Sequence, residues 1–103
     1  DGTATHAVLG VNVARLTPEI AQAFGVAAQA GALVTRVPPG GPAAAAGVQP
    51  GDVVVALGDR EVDSIEGLLG ALRDTEPGQQ TTVTVARDGE RLELPVTIGS
   101  QSG

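Results

Sequence analysis

Cysteine, methionine, lysine, tryptophan and tyrosine are all missing from this sequence, and a single phenylalanine is its whole aromatic content. Without cysteine there are no disulfides, thiolate metal sites or cysteine nucleophiles. With so few aromatics, the core must be packed from Val, Leu, Ile and Ala, and a hydrophobic share of 42% supplies them. The 6 cationic residues are all Arg and lie scattered, against 12 acidic ones, for a net charge of −6. A phosphate backbone or an anionic membrane surface needs clustered cations, so no nucleic-acid partner is expected. No apolar run approaches the roughly 18 residues of a membrane span, so no direct membrane insertion by this chain is expected.

The parts needed for chemistry are also missing. The lone His6 lies near the N-terminus, Ser64 at a helix start, and Ser100 and Ser102 at the C-terminal end; no Gly-x-Ser-x-Gly elbow occurs. Asp59, Glu61, Asp63 and Glu66 are close in sequence but lack the sixth-position glycine of a calcium loop. No catalytic residue, metal site or cofactor is expected. Asp52 and Asp59 read as turn residues.

A chain of 103 residues makes one domain, able to bury about 60 to 70% of its unfolded surface. The polar ends, Asp1-Gly2-Thr3 and Gly99-Ser100-Gln101-Ser102-Gly103, read as linker around a domain cut from something longer. The expected division is a linker over 1–6, a domain over 7–99 and a flexible tail over 100–103.

What the chain does contain is concentrated between Gly41 and Asp59. Pro42 suits a first helical position, Ala43 to Ala46 favour helix without needing room, and Gly47 ends it. Pro50-Gly51 then makes a tight turn into Val53 to Leu57, a run too short and too β-branched for a helix. The unit is therefore a one-turn helix, a turn and a buried strand.

Around it, Ala7 to Leu16 alternates as a strand with Leu9, Val11 and Val13 on one side. Thr17-Pro18-Glu19 starts a short helix that Gly25 ends, and Ala32 to Val37 reads as a second strand. Glu61-Val62 can pair briefly. Asp63 is then placed to cap a helix, with Glu66 as its reciprocal partner in a capping box. Ile65, Leu68, Leu69 and Leu72 share one stripe of that helix. Thr82 to Arg87 and Glu90 to Ile98 form a hairpin about Asp88-Gly89, and Pro95 marks the last strand as an edge or bulge.

The run Gly40-x-Pro42-Ala43-x-x-Ala46-Gly47-Val48-x-x-Gly51-Asp52-Val53-Val54 resembles the core motif of the PDZ domains of bacterial proteases, without a gap. Leu9-Gly10-Val11 followed by Leu16-Thr17-Pro18-Glu19 further resembles the segment after the protease domain in trypsin-like serine proteases of the high-temperature-requirement A (HtrA) type. The resemblance implies an α+β fold. This is a partly open β-sandwich or barrel of five to six strands, capped by one long and one or two short helices, in the circularly permuted bacterial topology. It also implies a non-catalytic domain that captures C-terminal peptides of unfolded or signalling proteins, partners the protease domain of the same chain, and works outside the cytoplasm. The PDZ domain of a C-terminal processing or site-2 protease, or a self-packing oligomerisation module, are the alternatives.

By the same resemblance Val8, Leu9, Gly10, Val11, Asn12 and Val13 form the carboxylate loop and ligand strand, and Leu9, Val11 and Val13 with Leu69 and Leu72 line the pocket for the last ligand side chain. Ile65 faces the side chain two residues further in, and Leu68 is read as core. A free carboxylate must exchange its water for converging backbone N–H groups, which an apolar-Gly-apolar turn offers. Many relatives add an Arg or Lys in this loop; here the nearby candidates are His6 and Arg15 only.

Overall fold

Val53 to Leu57 lies between the Pro50-Gly51 turn and Gly58-Asp59, and its β-branched run becomes the strand around which the rest is arranged. A computed structural model of the protein describes residues 5–24 and 31–102. In chain order the elements are β1 (Thr5–Val8), β2 (Asn12–Arg15), α1 (Pro18–Phe24), β3 (Ala32–Arg36), α2 (Pro42–Ala46) and β4 (Val53–Leu57). Then follow β5 (Arg60–Glu61), α3 (Ile65–Arg73), β6 (Gln80–Arg87), β7 (Glu90–Thr97) and β8 (Gly99–Ser102). The main sheet is antiparallel, six-stranded and open, in the order β2-β3-β4-β6-β7 with β5 paired to β4. β1 and β8 form a separate antiparallel ribbon with Thr5, His6 and Ala7 opposite Ser102, Gln101 and Ser100, so residues 5, 6 and 100–102, read from sequence as linker and tail, lie in strands.

A strand in the middle of a sheet has both faces covered, and Val53 and Val54, which point to opposite faces, are both fully buried. The core joins Val54 and Leu57 of β4 to Val83 and Val85 of β6, Leu68 and Ala71 of α3, and Leu9, Val34, Val96 and Ile98. The hairpin has the expected register, Val83 opposite Leu94 and Val85 opposite Leu92. Its turn residues Asp88 and Gly89 both take positive φ, as a two-residue turn matching strand twist requires. Pro95 lies in β7, the sheet's outer edge, where a missing N–H costs no ladder bond.

Two sequence expectations need correction. The strand expected over Ala7 to Leu16 is broken at residues 9–11, where Gly10 turns the chain at φ 79°, and its halves join different sheets. The capping box on Asp63 and Glu66 does not form. Ser64 is the N-cap, its Oγ accepting from the Gly67 N–H at 2.9 Å, which leaves Glu66 in the first turn. The one-residue difference lies in the backbone: Ser64 is extended (φ −163°, ψ 169°), so the helical run begins at Ile65 and the capping position falls on Ser64. The expected helix end at Gly25 lies outside the described residues; the start holds, with Thr17 Oγ1 accepting from the Ile20 N–H at 3.2 Å.

Asp52 does more than turn the chain. Its side chain is 2% exposed, and Arg87 donates to both carboxylate oxygens, from Nε at 2.8 Å and Nη2 at 2.7 Å. The Gln49 N–H donates to Oδ2 as well, and Arg87 Nη2 also donates to the Gly47 carbonyl at 2.9 Å. The hydrogen bond to Asp52 raises the Arg87 guanidinium above its ordinary value. Arg87→Leu leaves the buried carboxylate with the Gln49 N–H alone. It should cost about 2 to 3 kcal/mol, at the low end for a broken buried pair because the Arg87 side chain is 26% exposed. Differential scanning calorimetry should show the midpoint falling by about 10 °C or more; a change within about 2 °C would show that the pair contributes little.

Candidate functional site

The break at residues 9–11 creates a loop with a carbonyl turned inward. Ala43, in the first turn of α2, donates its N–H to the Leu9 carbonyl at 2.9 Å. The loop's N–H groups are used differently. Among the described residues, those of Leu9, Gly10 and Val11 donate to no main-chain carbonyl. Successive N–H groups left open at a positive-φ turn form a concavity suited to an anionic oxygen.

Gly10 is required there by conformation and by space. Its φ of 79° is one that side chains rarely adopt, and a Cβ would stand 3.0 Å from Pro42 Cδ. Gly99 faces the same ring from the other side, where a Cβ would lie 2.9 Å from Pro42 Cγ and 3.3 Å from Val8 Cγ2. The Gly41-Pro42 corner therefore fixes the height of the loop.

Beyond the loop, β2 runs along the sheet's edge with β3 on its inner side only. The register between β2 and β3 shifts at Asn12/Val13, and the Thr35 hydroxyl donates to the Asn12 carbonyl at 3.1 Å. An irregularity at this point increases local twist and lets the loop depart from the strand. Helix α3 faces this edge, and between them lies a cleft of about 360 Å³. Val8 to Val13 form one wall, and Leu68, Leu69 and Leu72 the other.

Of the residues expected at the site, Val8, Leu9, Gly10, Val11, Asn12, Val13, Leu69 and Leu72 all line this cleft. Ile65 does not; it is half-buried and packs against the core at the start of α3. Leu68 is core, as read, and also reaches the cleft. Pro38 lines the cleft too and was not anticipated, because only folding brings the β3–α2 connection to the mouth of the loop. Leu69 is the one large hydrophobic side chain among the described residues left exposed, at 53%.

Among the described residues, no cation lines the cleft. Arg15 is at the far end of β2, where Nη2 lies 3.7 Å from Glu66 Oε2 of α3 and both side chains are in solvent. The side chain of His6 lies outside the described residues. What the site offers is apolar contact, an unpaired strand edge and backbone donors, which bind an extended chain with a free end and supply no nucleophile or proton carrier.

A PDZ domain family profile matches residues 7–98. The chain is 37% identical over 98 residues to a probable periplasmic DegP-like serine endoprotease of Chlamydia trachomatis, covering 95% of this chain and 20% of that protein. It is 33% identical over 101 residues to the periplasmic pH-dependent serine endoprotease DegQ of Escherichia coli, covering 98% of this chain and 22% of that protein. The chain thus spans about a fifth of the length of the curated relatives it matches. Among solved structures, the HtrA-type protease AlgW with a decapeptide superposes with a TM-score of 0.87 at 34% identity, over 94% of this chain and 30% of that one. The HtrA3 PDZ domain bound to the phage-derived ligand FGRWV gives 0.79 at 22% identity, over 99% of this chain and 93% of that one, a likeness of fold.

Gly10→Ala and Gly40→Ala separate the two demands on Gly10, since Gly40 has a similar φ of 83° but nothing within 4 Å of an added Cβ. Both should lose about 1 to 2 kcal/mol to backbone strain. Gly10→Ala should lose about 1 kcal/mol more through its contact with Pro42. Urea unfolding of the two variants measures the difference; equal losses would show that the Pro42 contact does not constrain the loop.

Proposed function

The chain belongs to the PDZ domain family, and on that premise we propose that it captures apolar C-termini of other polypeptides within a larger, exported HtrA-type serine protease. The domain itself is non-catalytic. It delivers bound substrates to the protease domain of the same chain, or passes on a regulatory signal when a peptide arrives. Residues 7–99 are the unit that does this. The names of the relatives, periplasmic serine endoproteases of the DegP and DegQ kind, support the parent activity and a place outside the cytoplasm.

The observation that carries this reading is the unpaired edge of β2 beginning at the open N–H groups of residues 9–11. A peptide added there gains main-chain hydrogen bonds whatever its sequence, and its carboxylate meets the loop. Only a chain running antiparallel to β2 brings its C-terminus to that end. The other edge, β7, is unsuited to this, because Pro95 lacks a donor and Glu90, Arg91 and Glu93 are exposed along it. AlgW, solved with a decapeptide and with a tripeptide, shows that a relative of this fold binds peptides.

Val8 to Val13 hold the terminal carboxylate and the ligand main chain, and Leu69 and Leu72 contact its last side chain. Ile65 lies outside the cleft and packs against the core, so contact with an apolar last side chain falls to Leu69 and Leu72. Burying one such side chain contributes roughly 1.5 to 3 kcal/mol, which suits transient capture.

An NMR titration with short peptides ending in apolar residues should shift residues 8–13 and 65–72 and lose those shifts when the C-terminus is amidated. No shifts with either form would favour a self-packing module and contradict peptide capture. Leu69→Ala should leave stability almost unchanged, since the side chain is 53% exposed, while weakening the peptide by about fivefold.

A further inference from the structure

We infer that Arg15 and Glu66 read the charge of the ligand side chain four residues back from the terminal carboxylate, Arg15 drawing an acidic residue there. The inference rests on peptide capture at β2. A ligand whose carboxylate lies at residues 9–11 runs antiparallel to β2, and antiparallel strands align residue for residue. With its last residue opposite Val11, the residues two and four back stand opposite Val13 and Arg15. Side chains alternate along a strand, so these share the face that Val13 turns to the core and Arg15 to α3.

Glu66 lies three residues before Leu69, on the same rim of α3, and the Arg15–Glu66 contact joins strand and helix just beyond the residues that line the cleft. A ligand long enough to reach Arg15 passes between the two. The pair is easily opened: a single 3.7 Å approach with side chains 77% and 74% exposed. Its members do not depend on each other equally. Glu66 is in the first turn of α3, where the helix dipole favours a carboxylate without Arg15. Arg15 has five donors and stands directly across the ladder from the incoming side chain, where an opposite charge is favourable and a like charge unfavourable.

Hexapeptides identical except for Glu, Ala or Lys at the fourth residue back test this by isothermal titration calorimetry at low ionic strength. The Glu peptide should bind about two- to fivefold more tightly than the Lys peptide, with the difference lost at high salt. Arg15→Glu should reverse the order and Glu66→Gln should widen it; both sites are exposed, so both variants should fold. Equal affinities for the three peptides, a preference for Lys, or an order unchanged in Arg15→Glu would overturn the inference while leaving carboxylate capture in place. If the free-acid peptides bind no better than amidated ones, peptide capture falls, and the inference with it.

Discussion

Pro42 sits where three main-chain segments meet. Its ring stands against Gly10 on one side and Gly99 on the other, neither with room for a Cβ, and the next residue's N–H holds the Leu9 carbonyl. The loop is thereby turned with one carbonyl inward and its N–H groups outward. The proposed ligand strand begins where this turn ends, so the cleft inherits its geometry from the first turn of a five-residue helix. Preorganisation of this kind matters for a weak ligand, because little of the modest burial energy is spent on ordering the site.

The same short helix is tied down at its other end. Gly47, its C-cap, gives its carbonyl to Arg87, which also grips Asp52 at the mouth of β4. The Gly51 N–H donates to the Val34 carbonyl and the Val34 N–H to the Asp52 carbonyl, so the turn is stitched into β3 as well. Helix, turn and central strand are thereby fastened to the sheet. Among the described residues the core is built of Val, Leu, Ile and Ala, and the polar fastening acts at the ends of its elements.

Legibility in the sequence followed the distance over which each feature is decided. The Gly41 to Asp59 unit and the Asp88-Gly89 hairpin are set by neighbouring residues, and both form as read. Gly10 is legible as the centre of an apolar-Gly-apolar turn, but the splitting of one strand into two sheets is not, since Leu9, Val11 and Val13 alternate straight across it. Asp63 and Ser64 are both good caps, and the extended backbone of Ser64 selects between them. Pro38 and Ile65 trade places relative to expectation because the cleft wall is made by tertiary approach. The partners of Asp52 and Arg15 lie 35 and 51 positions away in the chain, beyond any local pattern.

The central claim is that backbone donors of the loop, held by Pro42, receive a free C-terminus while β2 receives the chain behind it. A crystal structure of the domain with a short peptide ending in an apolar residue tests it most directly. The account predicts the terminal carboxylate within about 3 Å of the N–H groups at residues 9–11, with the peptide main chain antiparallel to β2 and its last side chain between Leu69 and Leu72. A peptide bound with its carboxylate in solvent, or added to the edge of β7, would contradict it.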